Sequence, residues 1–260
     1  MSSQEVGVPG CAAETISYDV VGYDAFRERA RDPTLTFNEK AGFPEQLRGA
    51  QSGHILQDIC SKLPALNRRG GRILDIGAGC SDLTRHVVDA CANSGAPLTV
   101  IDSPEMLALL PDRPGLTKFG GRFPECLSQL SPPIGMFDAI LVYSVIQYVF
   151  TEGNLFGFID AAMQLLDQDA RLLIGDIPNA AMRRRFLASA NGKVHHKQHY
   201  PGRPEPVIQF NSLDLGQIDD GVVLGVLVRA RAAGMHAFVV PQAAELPMAN
   251  RREDIVIGRP

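Results

Sequence analysis

The chain has 260 residues, 45% hydrophobic, 21% charged and 7% aromatic, with a formal charge of −4 from 25 basic and 29 acidic side chains. That apolar fraction fills a sizeable core and excludes a wholly disordered chain. The acidic balance excludes the strong basic excess of a protein that wraps nucleic acid.

Cys11, Cys60, Cys80, Cys91 and Cys126 are scattered, with no Cys-x-x-Cys pair. Neither a disulfide framework nor a zinc site is expected, and a reducing cytoplasm is the expected location. Met1 to Ala13 has no basic start and no apolar block, so no secretory leader is expected. Helices are predicted over Asp19–Arg31 and Pro44–Leu63, the second from the stripe Leu47, His54, Ile55, Ile59 and Leu63. The stretch between them, rich in turn residues, reads as a loop. Residues 1–70 are expected to form a helical cap on an α/β domain spanning 71–260.

From residue 71 short apolar runs alternate with amphipathic segments. Strands are predicted over Arg72–Ile76, Pro97–Ile101, Leu116–Phe119, Phe137–Val142 and Arg171–Gly175. Helices are predicted over Ser81–Ala92, Pro104–Leu110 and Asn154–Leu166, the last on an i, i+3, i+4, i+7 pattern. The alternation implies crossover connections and a doubly wound, mostly parallel sheet. Ala139–Phe150 is the longest apolar run, too short and too interrupted for a bilayer span of about 20 residues. Ala190–Asp214 lacks strong periodicity and is expected to be a lid or binding loop. Gly221–Ala233 reads as a helix. Met235–Val240 and Asp254–Ile257 read as strands whose short connection favours antiparallel pairing.

The most informative stretch is Leu74-Asp75-Ile76-Gly77-Ala78-Gly79-Cys80-Ser81-Asp82-Leu83. A buried strand ends in Gly-Ala-Gly and leads into a helix. Glycines there allow a tight turn and a close ligand approach, and the helix N-terminus offers N–H groups to an anion. Asp102 closes the next strand, where an acid can accept hydrogen bonds from ribose hydroxyls. A nucleoside-bearing cofactor is expected. A dinucleotide fingerprint would want glycine at position 82, and Asp82 would repel a pyrophosphate. The pattern therefore disfavours NAD and suits a cofactor with a zwitterionic tail, S-adenosylmethionine.

On these residues the chain resembles the class I S-adenosylmethionine-dependent methyltransferases over roughly residues 71–260. Leu74 to Gly79 resembles their first motif, so Asp75, Gly77, Ala78 and Gly79 would line the methionine part of the cofactor. Val100 to Leu107 resembles the second: Asp102 would hold the ribose, and Ser103 or Met106 would flank adenine. Phe137 to Val149 resembles the fourth-strand motif, which would set Tyr143 and Ser144 near the sulfonium. The resemblance implies a seven-stranded Rossmann-like sheet with an antiparallel last strand. Many members carry Gly-Asp-Phe after the third strand; here Gly121-Arg122-Phe123 stands there, and a guanidinium has no acceptor for the adenine amino group. Phe37–Pro44, Gly79–Leu83, Tyr143–Tyr148 and Ile174–Asn179 resemble a bacterial subgroup associated with surface-polysaccharide assembly.

Methyl transfer needs an aligned acceptor and often a base. Asp176, after the fifth strand, is a candidate base, with capping of the helix after Pro178 as the alternative. Asn179 is a candidate orienter, and Gln147 and Tyr148 are candidate acceptor contacts. His195, His196 and His199 lie in the expected lid, where a neutral histidine can act as base. Arg183, Arg184 and Arg185 with Arg203 suit a phosphate or a solvated helix face. Tyr18, Tyr23 and Phe26 are candidates to cover the cofactor, and Asn38, Glu39 and Lys40 to reach the acceptor. The expected activity is methyl transfer to a small-molecule acceptor, a hydroxyl of a sugar or glycan precursor. The alternatives are N-methylation of a small metabolite and a non-catalytic cofactor-binding partner. No metal and no nucleic-acid partner are expected, and nothing in the pattern specifies an oligomer.

Overall fold

The structure is a computed structural model that describes residues 22–43, 49–129, 136–212 and 215–260. Tyr18 and the starts of the first two predicted helices, Leu47 included, lie outside the described residues. Seven strands form one sheet in the order β3-β2-β1-β4-β5-β7-β6. They are β1 Ile73–Ile76, β2 Leu98–Asp102, β3 Leu116–Gly120, β4 Phe137–Tyr143, β5 Leu166–Pro178, β6 His236–Pro241 and β7 Arg252–Gly258. The first five are mutually parallel, while β7 runs antiparallel to both β5 and β6. This is the doubly wound α/β architecture with an antiparallel last strand that the alternation and the resemblance imply.

The pleat explains the two cores. Leu74 and Ile76 of β1 face one cluster, covered by α7 (Leu155–Gln164) and α10 (Asp220–Ala232). Ile73 faces the other, covered by α3 (Ser52–Lys62) and α4 (Asp82–Ser94). Alternate side chains point to opposite faces, so a central strand with helices on both sides is apolar at nearly every position. Leu83, Val87, Val88 and Cys91 are the buried stripe of α4. Gly95 ends that helix at φ 72, a left-handed cap that glycine adopts without a Cβ penalty.

Several elements differ from the sequence expectation. The loop after Asp32 contains a one-turn helix, α2 (Phe37–Lys40), closed by a Thr36–Glu39 capping box. α1 covers Tyr23–Arg31, α5 Pro104–Leu107 and α6 Ile146–Glu152. The expected lid at Ala190–Asp214 begins as a helix, α9 (Ala190–His199), folded back on α8 (Ala180–Ala188). α9 buries only Gly192, whose built Cβ would lie 1.9 Å from the Phe186 carbonyl oxygen. A helix that packs through one glycine has no apolar stripe, so periodicity could not report it.

Candidate functional site

A cavity of about 390 Å³ lies at the carboxyl ends of β1, β2 and β4, the crevice where open α/β sheets receive ligands. Its floor is the β1–α4 turn. Gly77 (φ 72) and Gly79 (φ 66) are both left-handed, and the Gly77 N–H donates to the Ile101 carbonyl at 2.8 Å. A Cβ on Gly77 would come 2.5 Å from Val145, whereas one on Gly79 would meet Ala41 at an ordinary 3.5 Å. Gly77→Ala is expected to cost about 2–4 kcal/mol, from backbone strain plus overlap. Gly79→Ala is expected to cost about 1–2 kcal/mol, from strain alone. Urea unfolding of both variants measures the gap, and equal losses would remove the Val145 contact from the account.

Two acids share this floor. Asp102 accepts the Gly79 N–H at 2.8 Å and the Ser103 N–H at 2.6 Å. Burial pushes its carboxyl up, and those N–H groups only partly counteract it. Asp75 is 4% exposed. Burial, with the nearby Asp102 charge, raises it to about 8. Its carboxyl faces the cavity, where no hydrogen bond to it from a described residue is seen.

Tyr23, Phe26, Ala41 and Phe43, from the segment before β1, contribute to the cavity wall. α1 docks through Arg27, which donates to both oxygens of Glu105 at 3.1 and 2.9 Å. Tyr23 and Phe26 line the cavity, the latter edge-on to Tyr148 at 4.9 Å. Burial and the Asp102 charge push the Tyr23 hydroxyl up to about 12. Arg122 sits 6.0 Å over the Tyr23 ring and 4.0 Å from Glu152. Asn38, Glu39 and Lys40 are not among the cavity-lining residues; Glu39 closes the Thr36 capping box of α2, and the other two bond to neighbouring elements. Asn38 donates to the Asp82 carboxylate at 2.8 Å and accepts the Asp82 N–H at 3.1 Å. Lys40 donates to the Ala30 carbonyl at 2.8 Å, at the end of α1.

Of the expected cofactor contacts, Asp75, Gly77, Ala78, Gly79, Asp102 and Met106 line the cavity, as do Gly121, Arg122, Phe123, Tyr143 and Ser144. Ser103 does not: it is 1% exposed and caps α5 by accepting the Met106 N–H at 3.2 Å. Of the expected acceptor residues Tyr148 lines the cavity. Gln147 turns back to donate to the Ser144 carbonyl at 2.9 Å. Asn179, not Asp176, caps α8, accepting the N–H groups of Ala181 and Met182 at 2.9 and 3.1 Å. Asp176 stands behind Ser144: it accepts the Ser144 hydroxyl and is paired with Arg252 at 2.6 Å. Ser144 and Asp176 are both left-handed, at φ 60 and 59, a conformation of about 1–3 kcal/mol that persists only where surroundings enforce it.

His195 and His196 lie on α9, away from the cavity lining. His195 stacks on His199 at 4.0 Å, and burial followed by the His199, Arg251 and His196 charges lowers its pKa. Among the described residues no group of three His, Cys, Asp or Glu could hold a metal ion. Glu152, Asn154, Thr84 and Val87 also line the cavity and carry no motif by which the sequence marks them.

Neither a family model nor a curated protein sequence matches the chain. Solved structures match it by fold. The N-methyltransferase NodS from Bradyrhizobium japonicum WM9, in complex with S-adenosyl-L-homocysteine, is 13% identical with a TM-score of 0.53; the match covers 92% of this chain and 98% of that one. The plantazolicin methyltransferase BpumL, in complex with the same molecule, is 12% identical with a TM-score of 0.54 and covers 94% and 99%. The methyltransferase domain of bacterial CtHen1 is 13% identical with a TM-score of 0.50 and covers 82% and 98%. The chain has the Rossmann-like methyltransferase fold.

Proposed function

We propose that the chain binds S-adenosylmethionine and transfers its methyl group to a small-molecule acceptor. The observation that carries this reading is one cavity that joins the Gly77-Ala78-Gly79 turn, Asp102 fixed by two backbone N–H groups, and the buried, cavity-facing carboxyl of Asp75. A carboxylate offers about four acceptor sites, so Asp102 retains capacity for a ribose hydroxyl. Asp75 suits the ammonium group of an amino-acid tail. Asn38 already occupies the Asp82 N–H, and the Asp82 carboxylate stands beside it, which leaves this helix start unsuited to a pyrophosphate. The fold's likeness to structures crystallised with S-adenosyl-L-homocysteine supports the same cofactor.

When bound, S-adenosylmethionine supplies an electrophilic methyl group on a cationic sulfur. The chain's own residues align the partner and exclude water. Tyr143 and Ser144 stand on the side of the sulfonium and Tyr148 on the side of the acceptor, and Asp176 acts through Ser144 as a positioning residue. Among acceptors a sugar or glycan-precursor hydroxyl is preferred, supported by the four segments that resemble the polysaccharide-associated subgroup. A second reading, methylation of an amine, is favoured by Glu125 and Glu152, two further acids along the cavity. The four described cysteines are free thiols, in keeping with a reducing cytoplasm.

Calorimetric titration tests the cofactor. Micromolar binding of S-adenosylmethionine, with no binding of NAD, is expected. Asp102→Ala is expected to weaken that binding ten- to a hundredfold, by loss of hydrogen bonds to a charged group. Unchanged affinity in that variant removes Asp102 from the ribose role, and preferential binding of NAD overturns the reading. Formation of S-adenosylhomocysteine with nucleotide sugars, against a panel of amines, separates the two acceptor classes.

A further inference from the structure

Tyr143, the last residue of β4, and Ser144 after it both line the cavity. Ser144 has Asp176 behind it. Tyr143 has a support of its own, from a part of the chain that carries no motif. Its ring lies against the backbone of β5. A Cβ on the paired residue Gly175 would come 2.4 Å from that ring, so glycine leaves the space the ring fills. The hydroxyl at the tip of the ring meets Gln242, which is 7% exposed. Gln242 follows β6 and lies 99 residues beyond Tyr143. The antiparallel pairing of β6 with β7 carries it there, beside Asp254 of β7.

Chemistry fixes the orientation of the Gln242 amide. Asp254 is fully buried and accepts from Lys62 at 2.8 Å, from the Asp176 N–H at 2.8 Å and from Gln242 at 3.0 Å. A carboxylate must be met by the NH2 end of an amide, because the amide oxygen has no proton to offer it. Gln242 Nε2 carries two N–H groups. One donates to Asp254, and the other donates to the Tyr143 hydroxyl oxygen at 3.5 Å. The tyrosine oxygen is the acceptor in this bond, so its own proton turns away from Gln242. Asp254 already has Lys62 and a backbone N–H as donors, so neutralising that acid does not by itself call for Gln242. A buried hydrogen-bonded network specifies one arrangement of its members, and here the member that reaches the cavity is Tyr143.

We propose that Gln242 is a positioning residue, which fixes the hydroxyl of Tyr143 in the cavity wall and through it favours a cationic ligand over its neutral counterpart. The inference rests on the reading that the cavity holds S-adenosylmethionine with its sulfonium on the Tyr143 side. A tyrosine oxygen held in one place presents a fixed partial negative charge, and a fixed dipole attracts a cation more than a neutral thioether. A hydroxyl free to swing would spread that charge over several positions. Gln242 thereby acts, through Tyr143, on the distinction between the cofactor and the demethylated product that must leave.

Calorimetric titration of the full chain with S-adenosylmethionine and with S-adenosylhomocysteine tests it. The parent is compared with Tyr143→Phe, Gln242→Leu and the double variant. In each single variant the ratio of the two affinities is expected to shift against S-adenosylmethionine by about three- to tenfold. The double variant is expected to shift it no further than either single one, because both substitutions remove the same contact. Gln242→Asn, one methylene shorter, keeps a donor for Asp254 and is expected to shift the ratio in the same direction. It decides the matter if circular dichroism shows that the leucine variant does not fold. A merely structural role for Gln242 would weaken both ligands together and leave the ratio at the parent's value, which overturns the proposal. Additive shifts in the double variant overturn it as well. A parent that binds neither ligand overturns the cofactor reading itself, and this proposal with it.

Discussion

Asp176→Ala is expected to lose about 3–5 kcal/mol of stability, the penalty for removing one partner of a buried ion pair. The Arg252 side chain is 9% exposed and that of Asp176 5%, at a separation of 2.6 Å. Arg252 also donates to the Asp176 carbonyl at 3.2 Å, and the Asp176 N–H donates to Asp254 at 2.8 Å. Asp254 in turn accepts from Lys62 at 2.8 Å and from Gln242 at 3.0 Å. This network holds Asp176 in its left-handed conformation, at the register shift between β5 and β7. Removing the carboxylate strips Arg252 of this partner and Ser144 of its acceptor together. Asp176→Asn keeps the shape and one oxygen, so a smaller loss is expected. If Asp176 positions Ser144, the asparagine variant binds S-adenosylhomocysteine like the parent and turns over more slowly. Urea unfolding with calorimetry on both variants checks this. An alanine variant as stable as the parent would remove the ion pair from the account of this region.

Asp75→Asn is expected to act in the opposite direction on stability and to harm binding. A carboxyl raised from 3.8 to about 8 holds its proton in the folded state when the unfolded chain has released it. Between those values the folded state binds more protons, so stability from this group falls as pH rises from about 4 to 8. Below pH 4 both states are protonated and the penalty vanishes. At pH 7 the penalty reaches at most about 4 kcal/mol, at 1.36 kcal/mol per pH unit. Asparagine cannot ionise and escapes it. The variant should therefore be more stable than the parent at pH 7 and equal to it at pH 4. Urea unfolding at the two pH values decides the point, and a gain independent of pH would show that titration of Asp75 is not its source. Binding of a ligand ammonium should favour the ionised carboxylate, so uptake by the parent at pH 7 should release a proton. Calorimetry in buffers of different ionisation enthalpy reads that proton, and the asparagine variant should lack it and bind at least tenfold more weakly.

Those two acids also show how far the residues could be read before folding. Asp102 is legible because it ends a strand of the β1-turn-α4-β2 unit, where chain order and spatial order agree. Gly77 and Gly79 are legible for the same reason, since a strand-to-helix turn demands left-handed residues wherever it occurs. Asp75 was legible as part of the motif but not as a buried, cavity-facing acid. Its state depends on desolvation by α4 and on the charge of Asp102, both brought there by packing. Asn38 illustrates the converse. Its residue type suited an acceptor contact, yet its amide is used to hold Asp82, 44 positions later.

Local pattern alone determined the α/β class, the largely parallel sheet, the antiparallel tail and the glycine turn with its following acid. Each depends on periodicity of two or 3.6 residues or on a turn's conformational demand, quantities that neighbours in the chain carry. Only the tertiary structure decided that Asp176 is an ion-paired support behind Ser144, that Asn179 is the helix cap and that His195 and His196 lie on a helix away from the cavity. Those outcomes depend on Arg252, Asp220 and Glu253 arriving from distant segments, and on a helix packed through one glycine. Contacts of that kind have no period, so they come into being only when the sheet closes.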